Sequence, residues 1–166
     1  MFISILLYIL AWVVCVNVVA FIILFKGSWS RLLAFSDIYA AGPTPGENPV
    51  HLQPFSTIGN YLTSWSNWFH RLNIIANIAV FVPVGILIGI VLKGKTGLIV
   101  AIIMGAIFSY GLETVQYMYA IGSFDVDDII LNTIGAAVGY LLTRGYVKYA
   151  GMIITRGKEL VRKIRE

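Results

Sequence analysis

Long apolar runs alternate along this chain with short polar breaks. Phe2 to Phe25 holds no charged residue over 24 positions, enough at a 1.5 Å rise per residue to cross the roughly 30 Å of a bilayer's hydrocarbon. Leu72 to Leu92, Gly97 to Tyr117, and Asp128 to Leu142 with a continuation to Tyr149 are further runs of this kind. The pattern predicts an all-α membrane protein. It reads as one domain over residues 1–166, with four transmembrane helices at about 2–25, 72–92, 97–117 and 128–149. A cleaved signal peptide competes for the first run, but no basic segment precedes it and its apolar part is too long. Pro83 lies mid-way in the second run. A kink is expected there, with neighbouring helices satisfying the carbonyl that proline leaves unpaired.

Residues 26–71 differ in kind. Gly42-Pro43-Thr44-Pro45-Gly46 and Pro49 break any helix, while Phe55, Tyr61, Trp65, Trp68 and Phe69 supply aromatic bulk. The last four recur at helical spacing, as expected of a segment lying at the headgroup level. A connection of this length commonly carries function. In the tail, 150–166, Ile153, Ile154, Leu160, Val161 and Ile164 are set among cations, which predicts a basic amphipathic helix on a membrane surface.

Orientation follows from charge. Four spans place both termini on one side with the Lys93 to Lys95 turn, and that side then holds nine basic residues against three (Lys26, Arg31, Arg71) on the other. Lys and Arg accumulate in the cytoplasm. The long loop and the acidic turn before the fourth span are therefore expected to face outward.

Three of the apolar runs carry the same polar-to-small stripe. Asn73, Asn77, Phe81, Gly85 and Gly89 share one helical face; Gln116, Glu113, Ser109, Gly105 and Ala101 share another; Asp128, Asn132, Gly135 and Gly139 a third. Small ends allow close backbone approach, and polar ends can then converge on one pocket. An ionisable group inside a span costs about 2.5–3.5 kcal/mol on insertion scales, so Glu113 is expected to face the bundle, with Asn77, Asn132, Gln116 and Arg71 as available partners. A purely structural role, pinning the helices together by hydrogen bonds, accounts for Glu113 equally simply.

Asp125, Asp127 and Asp128 precede the fourth span. Helix capping and the macrodipole explain one of them. Clustered carboxylates beside amide oxygens also suit a hard cation such as Mg²⁺ or Ca²⁺, although this spacing is no specific metal motif.

Composition supports the membrane reading: 58% of residues are hydrophobic and 12% charged, and the mean hydropathy is +0.84. The net charge of +4 is concentrated beside hydrophobic segments, where anionic lipid, not nucleic acid, is the nearer partner. Cys15 stands alone inside an apolar run and reads as packing. His51 and His70 are the only histidines, no serine or cysteine has a nucleophile's context, and no cofactor is expected.

Four blocks carry a family resemblance. They are Leu52-Gln53-Pro54-Phe55 within 48–61, Asn77-Ile78-Ala79-Val80-Phe81-Val82-Pro83-Val84-Gly85, Glu113-Thr114-Val115-Gln116, and Phe124 to Gly135 followed by Gly139-Tyr140. In order and spacing the chain resembles the VanZ-like family of bacterial membrane proteins over about Pro49 to Tyr140. The resemblance implies a small multi-pass protein of the bacterial plasma membrane, in a family named for a member linked to resistance against glycopeptides such as teicoplanin. Members often carry arginine directly before the Ser-Phe-Asp step, where this chain has Gly122.

The leading expectation is a binding module: an outer-leaflet polar pocket of Asn77, Glu113, Gln116, Asp125, Asp127, Asp128, Asn132 and Arg71. The loop with Gln53 and Phe55 roofs it, and it takes a lipid headgroup or a lipopeptide or glycopeptide antibiotic. An enzyme modifying an envelope lipid by carboxylate acid/base chemistry, and a scaffold packing on a membrane partner through its small-residue stripes, are the alternatives. The four-residue glycine spacings leave the oligomeric state open.

Overall fold

The computed structural model describes residues 8, 11, 12, 14–16, 18–20, 22, 49–120 and 122–165, apart from the side chains of 160 and 163–165. The elements are a strand β1 (Val50–His51), helices α1 (Ser56–Thr63), α2 (Trp68–Val91) and α3 (Gly94–Met118), a strand β2 (Phe124–Asp125) and a helix α4 (Val126–Arg165). Three of these, α2, α3 and α4, are long and apolar enough to cross a membrane. Much of the expected first span and of the 26–71 loop, including Lys26, Arg31 and the Gly42 to Gly46 breaker, lies outside the described residues. Its described positions between Tyr8 and Ile22 are helical. The Tyr8 hydroxyl donates to the Leu87 carbonyl of α2 at 2.7 Å, and Val19 sits in the core.

The helices start and stop where backbone chemistry dictates, several residues from where hydropathy changes. Asn67 caps α2 by accepting the Phe69 N–H at 3.0 Å, so Trp68, Phe69, His70 and Arg71 join the helix that hydropathy begins at Leu72. Gly94, with φ 68, opens α3, and the Tyr140 hydroxyl of α4 donates to its carbonyl at 2.7 Å, fixing the turn between α2 and α3. Helix α4 departs most from expectation. The residues expected to form a fourth span and a separate tail helix form one unbroken 40-residue helix, about 60 Å long at 1.5 Å per residue, roughly twice the hydrocarbon thickness.

The small-residue stripes perform the packing expected of them. A side chain at Gly135 or Gly139 would overlap the Ile78 or Val82 carbonyl oxygen of α2, and one at Gly85 would overlap the Ala136 carbonyl oxygen of α4. Backbones so close leave no room for a methyl group. Gly105 of α3 faces the Ala136 side chain in the same way. The core that results, Phe81, Val84 and Ile88 of α2 with Ala101 and Leu112 of α3 and Ala136 and Tyr140 of α4, sits just inward of the polar ends of the stripes.

A short parallel pairing of β1 with β2 closes one end of the bundle, with Val50 opposite Phe124 and His51 opposite Asp125. Helix α1 follows β1 and lies at this same end, here termed the loop end.

The same substitution is expected to act with opposite signs along α4. Gly139→Ala, forced against the Val82 carbonyl, should cost about 1–3 kcal/mol. Gly145→Ala, in open space, should gain up to about 1 kcal/mol from helix propensity. Thermal melting of the two purified variants checks this.

Candidate functional site

Three carboxylates at the loop end are joined in series. The Glu113 carboxylate of α3, 1% exposed, accepts the backbone N–H of Asp125 at 3.0 Å. Asp125 uses one carboxylate oxygen to cap its own helix, accepting the Asp127 N–H at 2.8 Å, and the other to accept the Thr57 hydroxyl at 2.7 Å. Asp127, 0% exposed, reaches back across the chain to the start of α1. Its Oδ1 accepts the Phe55 N–H at 2.6 Å, and its Oδ2 accepts those of Thr57 at 2.8 Å and Ile58 at 3.0 Å.

The reason lies in the sequence of α1. The first N–H groups of any helix lack internal acceptors, and the residue before this one is Phe55, whose side chain cannot cap. A carboxylate from another helix supplies the acceptors and complements the positive end of the helix dipole. Two of the three aspartates are therefore accounted for by capping, where the sequence alone accounts for one.

Asp128, the third, faces α2, where it accepts a hydrogen bond from Asn77 Nδ2. Asn77 also donates to Asn73 at 3.2 Å. One turn further into the bundle, Asn132 Nδ2 donates to Ser109 Oγ of α3 at 2.8 Å, both residues fully buried. Gln116 is buried at the end of α3, and its backbone carbonyl accepts the Gly122 N–H at 3.4 Å. These polar side chains pair across the helices in three sets: Glu113 with the aspartate turn, Asp128 with Asn77, and Asn132 with Ser109. Arg71 is half-buried in the first turn of α2.

Gln53 and Phe55 stand differently. Their side chains are exposed, Phe55 by 65%, and it is the Phe55 backbone that meets the acids. Among the described residues no group of three or more His, Cys, Asp or Glu is arranged to hold a metal ion.

Sequence reasoning passed over Thr57, and it read Tyr61 as an interfacial aromatic without placing it beside the acids. Tyr61 lies close enough to the acids that burial, and then the charges of Asp128 and Asp125, push its phenol above the usual tyrosine value, and its ring stacks on His70 at 4.5 Å. Helical spacing among aromatics was the available signal, and it points as readily to a membrane interface as to an acid's neighbour.

Replacing Asp127 by Asn puts an amide donor against backbone donors. Asp127→Asn should therefore destabilise the fold by about 2–3 kcal/mol and speed amide hydrogen exchange at 55–58, whereas Asp128→Asn should leave those amides protected. Exchange mass spectrometry on both variants checks this.

Two comparisons place the chain among known proteins, and no solved structure matches it. It is 28% identical over 96 residues to "Protein VanZ" of Enterococcus faecium, a match covering 58% of this chain and 53% of that protein. The match thus spans about half of that relative's length. A family model described as VanZ/LLP1 matches residues 5–148. Matched over nearly all its length, this chain belongs to the VanZ/LLP1 family of proteins.

Proposed function

We propose that the loop end is a binding platform for an amphiphile, a lipid headgroup or a glycopeptide or lipopeptide antibiotic, and that through it the protein contributes to envelope function or glycopeptide resistance. The observation that carries this reading is Phe55. It holds a left-handed backbone, φ 64 and ψ 8, which a bulky side chain adopts at a cost of about 1–2 kcal/mol, and its ring is 65% exposed. Strain maintained by a buried carboxylate to present an apolar ring to the outside has no packing rationale, and such strain concentrates at ligand sites.

Leu52, Leu62, Trp65, Trp68 and Phe69 are exposed on the same segment, and residues 52–69 carry no Asp, Glu, Lys or Arg. An apolar apron thus adjoins the polar groups of Asn73, Asn77, Asp128, Tyr61 and His70. That combination suits a ligand with one apolar and one hydrogen-bonding part.

In this proposal the protein is a four-span protein of the bacterial plasma membrane. The helical residues between Tyr8 and Ile22 belong to the first span, and α2, α3 and α4 are the others. The charge asymmetry of the sequence favours both termini in the cytoplasm, which puts the loop end at the outer leaflet and the far half of α4, with Arg156, Lys158 and Arg162, at the inner face. The family relationship to a VanZ protein supports the link to resistance.

Phe55→Gly separates this platform from a structural loop. Glycine relieves the left-handed strain and keeps the N–H that Asp127 accepts, so folded yield and melting temperature should hold or rise, by up to about 1 kcal/mol. Protection against teicoplanin, measured as growth inhibition of a susceptible host expressing the protein, should fall to that of the host alone. Undiminished protection by a well-folded Phe55→Gly variant counts against the platform.

A further inference from the structure

We infer that the polar cluster at the loop end recognises a primary ammonium group, –NH₃⁺, through Asn132. The inference rests on the loop end being a binding site and names the chemistry of the headgroup it takes. Asn132 is 1% exposed. Its Nδ2 is committed to Ser109 Oγ at 2.8 Å, yet its Oδ1 is buried and has no hydrogen-bond partner. A buried carbonyl left in this state costs roughly 1–3 kcal/mol relative to one that is satisfied, so a donor is what the position lacks.

The surroundings set the direction from which a donor comes. Inward of Asn132 the helices pack closely: Gly135 is pressed on the Ile78 carbonyl and the Phe81 side chain, Gly105 on Ala136, and Phe81 is fully buried. Outward, one turn away on either side, stand Asp128 with Asn77 and, one turn beyond Ser109 on α3, Glu113. The polar groups adjoining the amide therefore lie on its loop-end side.

Acidity sets the charge of the donor. From residue 49 to the start of α4, the described loop-end residues carry four carboxylates, Glu113, Asp125, Asp127 and Asp128, against Arg71, His51 and His70. His70, whose Nδ1 is also buried without a partner, stacks on Tyr61. Both orphaned atoms, His70 Nδ1 and Asn132 Oδ1, thus belong to the two helices, α2 and α4, that the hydrogen bond between Asn77 and Asp128 joins. A primary ammonium offers three N–H donors and a positive charge in a compact head. A quaternary ammonium offers the charge and no donor, and water offers donors and no charge.

Two sources share this chemistry, an ethanolamine lipid headgroup and a free amine, and the test separates them. The full-length protein in detergent is melted with phosphatidylethanolamine or phosphatidylcholine of the same acyl chains, and with methylammonium or tetramethylammonium chloride at equal ionic strength. The wild type should melt several degrees higher with phosphatidylethanolamine than with phosphatidylcholine, reflecting about tenfold tighter binding, the worth of one well-made hydrogen bond. A methylammonium effect of the same kind identifies the free amine as sufficient; an effect of the lipid alone identifies the headgroup. Asn132→Leu, of similar volume, should abolish the difference, and Gly145→Ala, further along α4 and in open space, should keep it.

Equal responses to the methylated and unmethylated members of both pairs overturn the inference, with the orphan then satisfied by water. An undiminished preference in Asn132→Leu overturns it too. If that variant does not accumulate, the wild-type comparison decides alone. Failure here with loss of teicoplanin protection in Phe55→Gly leaves the platform standing and removes only the ammonium.

Discussion

A single buried carboxylate holds the loop end together. Asp127 gathers three backbone N–H groups from the start of α1 while its own N–H is held by Asp125, whose N–H is held in turn by Glu113. Each acid accepts at least one backbone N–H, and Asp125 the Thr57 hydroxyl as well, so the series ties α1, β2, α3 and the first turn of α4 together. In a low-dielectric setting such charge-assisted bonds are strong when complete and costly when broken. The placement of Asp128 and Asn132 depends on this series, because they follow Asp127 on the same helix and inherit its rotation.

The glycine contacts impose the complementary constraint. Gly85, Gly135 and Gly139 bring the α2 and α4 backbones into contact, and this sets Asn77 opposite Asp128. With bulkier residues at those positions the helices would stand further apart and the two side chains could not meet. The polar hydrogen bonds and the small-residue seam are therefore parts of one arrangement, in which the seam supplies proximity and the acids supply alignment.

Much of this was legible in sequence, for identifiable reasons. The three stripes were readable because helical periodicity puts residues three and four apart on one face, and close packing and convergence follow directly. Span ends were less so: Trp68 to Arg71 are helical because Asn67 caps them, and hydropathy reports solvent preference, not hydrogen bonding. The role of Asp127 was out of reach of periodicity, since it serves a helix some seventy positions earlier in the chain. Phe55 and Gln53 were expected over the pocket by virtue of their block, whereas a left-handed backbone at residue 55 turns the ring outward. The unbroken α4 was hidden by its composition, because a change from apolar to cationic residues looks like a boundary although every residue involved is compatible with a helix.

That unbroken helix makes α4 a shaft whose angular phase is fixed where Asp125 caps it. Successive residues advance by about 100°, so the azimuth at which Arg156, Lys158 and Arg162 project is set by the capping bond roughly 45–55 Å away. With no hinge between Val126 and Arg165, a twist applied at either extremity is delivered to the other as torque, and the two faces of the protein cannot rotate independently.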